Sequence, residues 1–80
     1  MEPIEVIPLI GPSRKLRIEA DLNESIGQLI ERISRELGVS GAFFRLVGHG
    51  GKIIDEEAEV GRVVKEVGKT FYFYPEVMGG

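Results

Sequence analysis

Only one stretch of this chain carries a sustained helical apolar period. Ile26, Leu29, Ile30, Ile33 and Leu37 recur at i, i+3, i+4, i+7 and i+11, leaving Glu31, Arg32, Arg35 and Glu36 on the other side. Its limits are written locally. Ser25 can accept from the third helical amide while Gln28 reaches back to the Ser25 amide, a capping box. Gly38 can take the left-handed conformation that ends a helix, and Val39 can fold back on the last turn. A helix that is apolar on one side only must be covered by something else, and the flanking segments have strand character.

Ile4 to Ile10 is apolar and β-branched, Gly11-Pro12-Ser13 supplies turn chemistry, and Lys15 to Ala20 alternates, with Leu16, Ile18 and Ala20 on one face. This predicts an N-terminal hairpin. Ala42 to Val47, the Gly48-His49-Gly50-Gly51 turn and Lys52-Ile53-Ile54 predict a second one. Asp55-Glu56-Glu57 reads as a solvated loop, and Val60, Val63, Val64 and Val67 as a short helical turn closing the core. Thr70 to Tyr74 alternates, so Phe71 and Phe73 share one face and Tyr72 and Tyr74 the other. Pro75 lacks an amide donor, so pairing should fade there. No internal repeat is expected. The resulting order, β, β, α, β, β, helical turn, β, predicts an α+β domain, a mixed sheet packed on one helix. The first and last strands are the most apolar, so they should lie side by side in the centre as a parallel pair. The helix and second hairpin supply the long crossover that such a pair requires.

Eighty residues leave room for one core, expected over residues 1–75 with a flexible tail at 76–80. With no cysteine there is no disulfide, thiolate nucleophile or cysteine-ligated zinc, and the core alone must hold the fold. A net charge of −3 disfavours a general nucleic-acid binder. No basic-then-apolar leader and no membrane-length apolar run is present, so a cytoplasmic, monomeric protein is expected. Asn23-Glu24-Ser25 matches a glycosylation sequon, which three residues readily do by chance.

Catalytic and metal constellations are weak. Gly48-His49-Gly50-Gly51-Lys52 resembles a phosphate loop only superficially: Leu46 stands where the first glycine belongs and Ile53 where Ser or Thr belongs. It reads as a glycine-rich hairpin turn. His49 is the sole histidine and has no nameable partner as ligand or base. Asp55, Glu56, Glu57 and Glu59 lack the spacing of a calcium loop. No catalytic residue, bound cofactor or metal is therefore expected.

The element order together with Gly79-Gly80 resembles the ubiquitin-like β-grasp family over Ile4 to Gly80. From Gly51 onward the chain is similar to ubiquitin without a gap, through Gly51-Lys52, Ile54, Gly61-Arg62, the last strand and the double glycine. Arg45-Leu46-Val47 resembles ubiquitin's Arg-Leu-Ile. Two other segments resemble the sulfur-carrier branch, which includes the small subunit of molybdopterin synthase and archaeal small modifiers. These are Ser25-Ile26-Gly27-Gln28-Leu29, similar to Thr-Val-Gly-x-Leu, and Pro75-Glu76-Val77-Met78-Gly79-Gly80, similar to Pro-Pro-Val-x-Gly-Gly.

The resemblance implies a non-enzymatic substrate of an ATP-dependent activating enzyme of the ubiquitin or molybdopterin type, which adenylates the Gly80 carboxylate. Gly79 and Gly80, without Cβ, can thread a narrow channel, and five extended residues from Glu76 reach about 16 Å. The activated group would pass either to lysines of target proteins or, as a thiocarboxylate, to a sulfur-accepting enzyme of molybdopterin, thiamine or tRNA thiolation. A third reading is a β-grasp binding module whose glycines are inert. By the same resemblance Val47 takes the centre of ubiquitin's binding patch, with Arg45, Tyr72 and Tyr74 beside it, and Lys52 matches a chain-linking lysine. The plainer readings are that Tyr72 and Tyr74 cover an open sheet face and that Lys52 serves solubility.

Overall fold

The computed structural model describes residues 1–9, 14–40 and 44–75. Strands β1 (Glu2–Pro8) and β2 (Leu16–Ala20) precede helix α1 (Ile26–Leu37); β3 (Phe44–Gly48), helix α2 (Val60–Val67) and β4 (Thr70–Pro75) follow. The strand order is β2-β1-β4-β3, with β1 parallel to β4 at the centre and an antiparallel strand on each side. The expected central parallel pair is thus the observed one. Ile10 to Ser13, Ala42-Phe43 and the tail from Glu76 lie outside the described residues.

The two prolines of β1 mark the limits of its pairing. Glu5 and Leu9 donate their amides to Lys69 and Phe73 on the β4 side, at 2.8 and 2.7 Å, so odd-numbered amides face β4 and even-numbered ones face β2. Pro3 falls on the β4 side before that pairing begins at Glu5, and Pro8 on the β2 side after that pairing ends at Val6. Each sits where a missing N–H removes no ladder bond.

Inner-face residues Ile4, Val6, Leu46, Phe71 and Phe73 meet Ile26, Leu29, Ile30 and Ile33 of α1, all buried. Leu16 and Ile18 pack against this core while remaining half-buried on the outer strand. The predicted capping box is present, with the Gln28 amide on Ser25 Oγ at 3.2 Å and the Ser25 amide on Gln28 Oε1 at 3.0 Å. Gly38 ends the helix at φ 71°. Among the described residues no helix is long and apolar enough to cross a membrane.

Three expectations are corrected. Lys52-Ile53-Ile54 is not a strand: it touches β3 through one bridge, Val47 to Ile53, with the Gly48 and Ile54 amides donating to Lys52 and Leu46. Ile54 turns into the core, 5% exposed, and Asp55 immediately starts a turn, so pairing has no room to extend. The predicted helical turn is a helix of eight residues, Val60–Val67, burying Val60 and Val63, so the sheet carries two helices rather than one.

The third correction is an internal repeat. Asp21-Leu22-Asn23-Glu24-Ser25-Ile26-Gly27 and Asp55-Glu56-Glu57-Ala58-Glu59-Val60-Gly61 fold alike. Each aspartate accepts the amide two residues on, from Asn23 or Glu57, at 2.9 Å. Ser25 and Glu59 then bridge, and each helix start donates into the other's turn. Ile26 and Gly27 donate to Ala58 and Glu56; Val60 and Gly61 donate to Glu24 and Leu22, all at 2.9 Å. The glycines permit this approach. A Cβ on Gly61 would stand 3.0 Å from the Leu22 carbonyl oxygen, and one on Gly27 3.4 Å from that of Glu56.

A candidate recognition face on the open side of the sheet

Both helices pack toward one side of the sheet, so side chains of opposite parity line the other. Alternation puts Tyr72 and Tyr74 of β4 there, half-buried, while Phe71 and Phe73 between them are fully buried. Register supplies the neighbours. Tyr72 lies between Ile7 of β1 and Val47 of β3, and Tyr74 opposes Arg45. Ile53, bridged to Val47 and 56% exposed, extends the row past β3. Leu9, equally exposed, continues the parity of Ile7 beside the end of β4. The result is an apolar band centred on Tyr72 with an arginine at its margin.

Arg45 is held by Glu56, whose carboxylate accepts from its guanidinium and whose backbone carbonyl accepts from Gly27. The helix-start clasp therefore also anchors a cation of the open face. His49 stacks over Tyr72, ring centroids 6.4 Å apart and planes 22° apart. The Gly48 to Lys52 segment is the glycine-rich turn expected, with the Gly51 amide on the Gly48 carbonyl and positive φ at Gly50 and Gly51. Lys52 is exposed at its end, beside Ile53.

The structure thus brings together Arg45, Val47, Tyr72 and Tyr74 and leaves Lys52 at the edge of the same region. Gly79 and Gly80 lie outside the described residues, beyond Pro75, which pairs with Phe44 at the end of β4. Sequence reasoning missed Ile7, Leu9, Ile53 and the placement of His49. For Ile7 the signal existed, since pairing β1 with β4 in parallel fixes which of its residues share a face with Tyr72.

The Glu2 carboxyl, at the start of β1, is held below the ordinary carboxylate range by a hydrogen bond from Lys69 and by that ammonium's charge. Among the described residues no three His, Cys, Asp or Glu side chains converge as a metal site. The arrangement offers a rigid, partly apolar surface, suited to docking another protein.

No protein-family model and no curated protein matches the chain. Solved structures do. Caldiarchaeum subterraneum ubiquitin is 18% identical with a TM-score of 0.78, the match covering 98% of this chain and 96% of that one. A computationally designed protein, based on the template of human erythrocytic ubiquitin and solved by NMR, is 24% identical with a TM-score of 0.76, covering 100% and 98%. A likeness extending over both chains end to end, at identities this low, is a likeness of fold, and the chain has the ubiquitin-like β-grasp fold.

Proposed function

We propose that the chain is a ubiquitin-like protein modifier, recognised through the band around Tyr72 and activated at Gly80 by an ATP-dependent enzyme. The observation carrying this reading is the clustering of Arg45, Val47, Tyr72 and Tyr74 on one open sheet face. Tyrosines on a strand anchor an interface at low entropic cost because the backbone beneath them is already fixed. In the activation step the Gly80 carboxylate attacks the α-phosphorus of ATP and pyrophosphate leaves. A target lysine amine then attacks the acyl adenylate directly, releasing AMP, or a partner's cysteine first displaces AMP to form a thioester and the lysine amine displaces that thiol, giving the amide either way.

A second reading, sulfur carriage, is favoured by the Ser25 to Leu29 segment and by Pro75 to Gly80. With no cysteine the chain cannot carry a persulfide, so transported sulfur must replace an oxygen of the Gly80 carboxylate. Both readings place the protein outside catalysis and in the cytoplasm.

The test uses the intact chain with the activating enzyme of its own host. ATP–pyrophosphate exchange that is lost on deleting Gly79-Gly80, while melting is unchanged, supports activation. Protein recovered from the host then separates the readings: a Gly-Gly remnant on partner lysines marks a modifier, and a mass raised by sulfur replacing oxygen marks a carrier. No exchange with the intact chain overturns both and leaves a β-grasp binding module.

A further inference from the structure

The two edges of the sheet are protected differently. The outer side of β3 is occupied by the Lys52 to Ile54 segment, which uses the amide of Gly48 and the carbonyl of Leu46. Among the described residues strand β2 has no such cover. Its even residues exchange bonds with β1 through the Ile4–Ile18 and Val6–Leu16 pairs, so the amides and carbonyls of Arg17 and Glu19 point outward. A groove of about 320 Å³ runs beside them, between Leu16–Glu19 and Arg32, Arg35 and Glu36 of α1. One group reaches across it. The Arg32 guanidinium is fixed by Glu24 at 2.6 Å and donates to the outward Glu19 carbonyl at 2.7 Å.

We propose that the β2 edge is a latent self-pairing surface for a second copy of this chain, kept closed by Arg32. Antiparallel pairing about a two-fold axis at Ile18 sets Arg17 against Glu19 of the second copy, and Glu19 against its Arg17. Both are the outward-bonding residues, so the hydrogen-bond parity is correct. Lys15 and Asp21 oppose each other on either side, again with opposite charge. Registers centred on Arg17 or Glu19 keep the parity but set like charges directly opposite, which selects the Ile18 register. The half-buried Ile18 side chains meet at the axis. Two of the four new backbone bonds must use the Glu19 carbonyl, which Arg32 occupies. A five-residue edge offers only a small interface, so competition from this one side chain for the Glu19 carbonyl is enough to keep the wild-type chain monomeric.

The test is the mass in solution of the full chain by sedimentation equilibrium, across concentrations up to the solubility limit. Wild type is expected to remain monomeric where Arg32→Gln doubles in mass, and the Arg17 and Glu19 amides of the variant should gain hydrogen-exchange protection. Adding Glu19→Arg to Arg32→Gln sets like charges opposite and should abolish the dimer, and adding Arg17→Glu as well should restore it. A folded Arg32→Gln chain that stays monomeric overturns the proposal. So does growth past two copies, since the two-fold pairing closes, or equal association of wild type and variant. If Arg32→Gln fails to fold, Glu24→Gln, which removes the charge that fixes Arg32, takes its place with the same outcomes.

Discussion

The two faces of β4 differ by one residue of register and a hydroxyl, yet their rings sit in different surroundings. Phe71 and Phe73 reach zero exposure, and Phe73 also stacks against Phe44 with centroids 4.6 Å apart and planes 4° apart. Tyr72 and Tyr74, on the same backbone, stay half-buried between Ile7, Val47 and Arg45. A ring sealed in the core contributes through the water it leaves and the contacts it fills. A half-buried ring keeps much of that driving force in reserve for a partner. Tyrosine suits such a face because its hydroxyl can hydrogen-bond water while the ring presents apolar surface.

The largest expected effect comes from emptying the inner face. Phe73→Ala should cost roughly 3 to 5 kcal/mol in chemical denaturation, a large share of the stability of so small a domain. A loss below about 1 kcal/mol would place Phe73 outside the core. Exchanging the hydroxyl between the faces tests the contrast more sharply. Phe73→Tyr puts a hydroxyl into a fully buried site and should cost about 1 to 3 kcal/mol, whereas Tyr72→Phe should stay within about 0.5 kcal/mol.

Removing both open-face rings should invert the pattern. On the proposed function, Tyr72→Ala with Tyr74→Ala is expected to weaken binding to the activating enzyme by about tenfold or more, while the chain stays folded by circular dichroism. If melting collapses and the surviving folded fraction binds as before, the roles of the faces are reversed. The smallest effect belongs to surface charge. Glu2 has its carboxyl lowered by Lys69, so the stability it adds is present above the ordinary carboxylate range and fades as pH falls through the lowered value. Glu2→Gln should therefore lower the melting temperature slightly at neutral pH and leave it unchanged in acid below the lowered value, where the contribution is already lost.

Much of the fold was legible because its signals were local. The Ser25–Gln28 box, the stripe from Ile26 and the Gly38 stop are each set within a few residues, and the helix begins and ends where they say. The faces of β4 followed from alternation alone. Helix α2 was underread because Glu59 makes no side-chain cap; its start is defined by Glu24 and Leu22, which accept the Val60 and Gly61 amides from the other helix start. The Lys52 to Ile54 strand was overread because three residues with strand propensity cannot show that Ile54 must turn inward. The repeat escaped notice because its two copies share little beyond an aspartate, a β-branched residue and a glycine, while the likeness lies in the backbone. For the open face, Tyr72 and Tyr74 were visible singly, but Ile7, Leu9 and Ile53 join them only through register with distant strands.

The exchange of amides between the two helix starts bears on how the chain acquires its structure. The first amides of a helix have no acceptor within it. Here the first two of α1, from Ile26 and Gly27, are satisfied by the turn that leads into α2, and the first two of α2, from Val60 and Gly61, by the turn that leads into α1. Neither helix can complete its own beginning, and all of α1 and β3 separates the two halves of the bargain along the chain. An early species with α1 on the sheet but the second turn undocked would strand donors at a partly buried helix end. Half-assembled forms are therefore penalised, and the chain is pushed toward a single transition in which both helices lock at once.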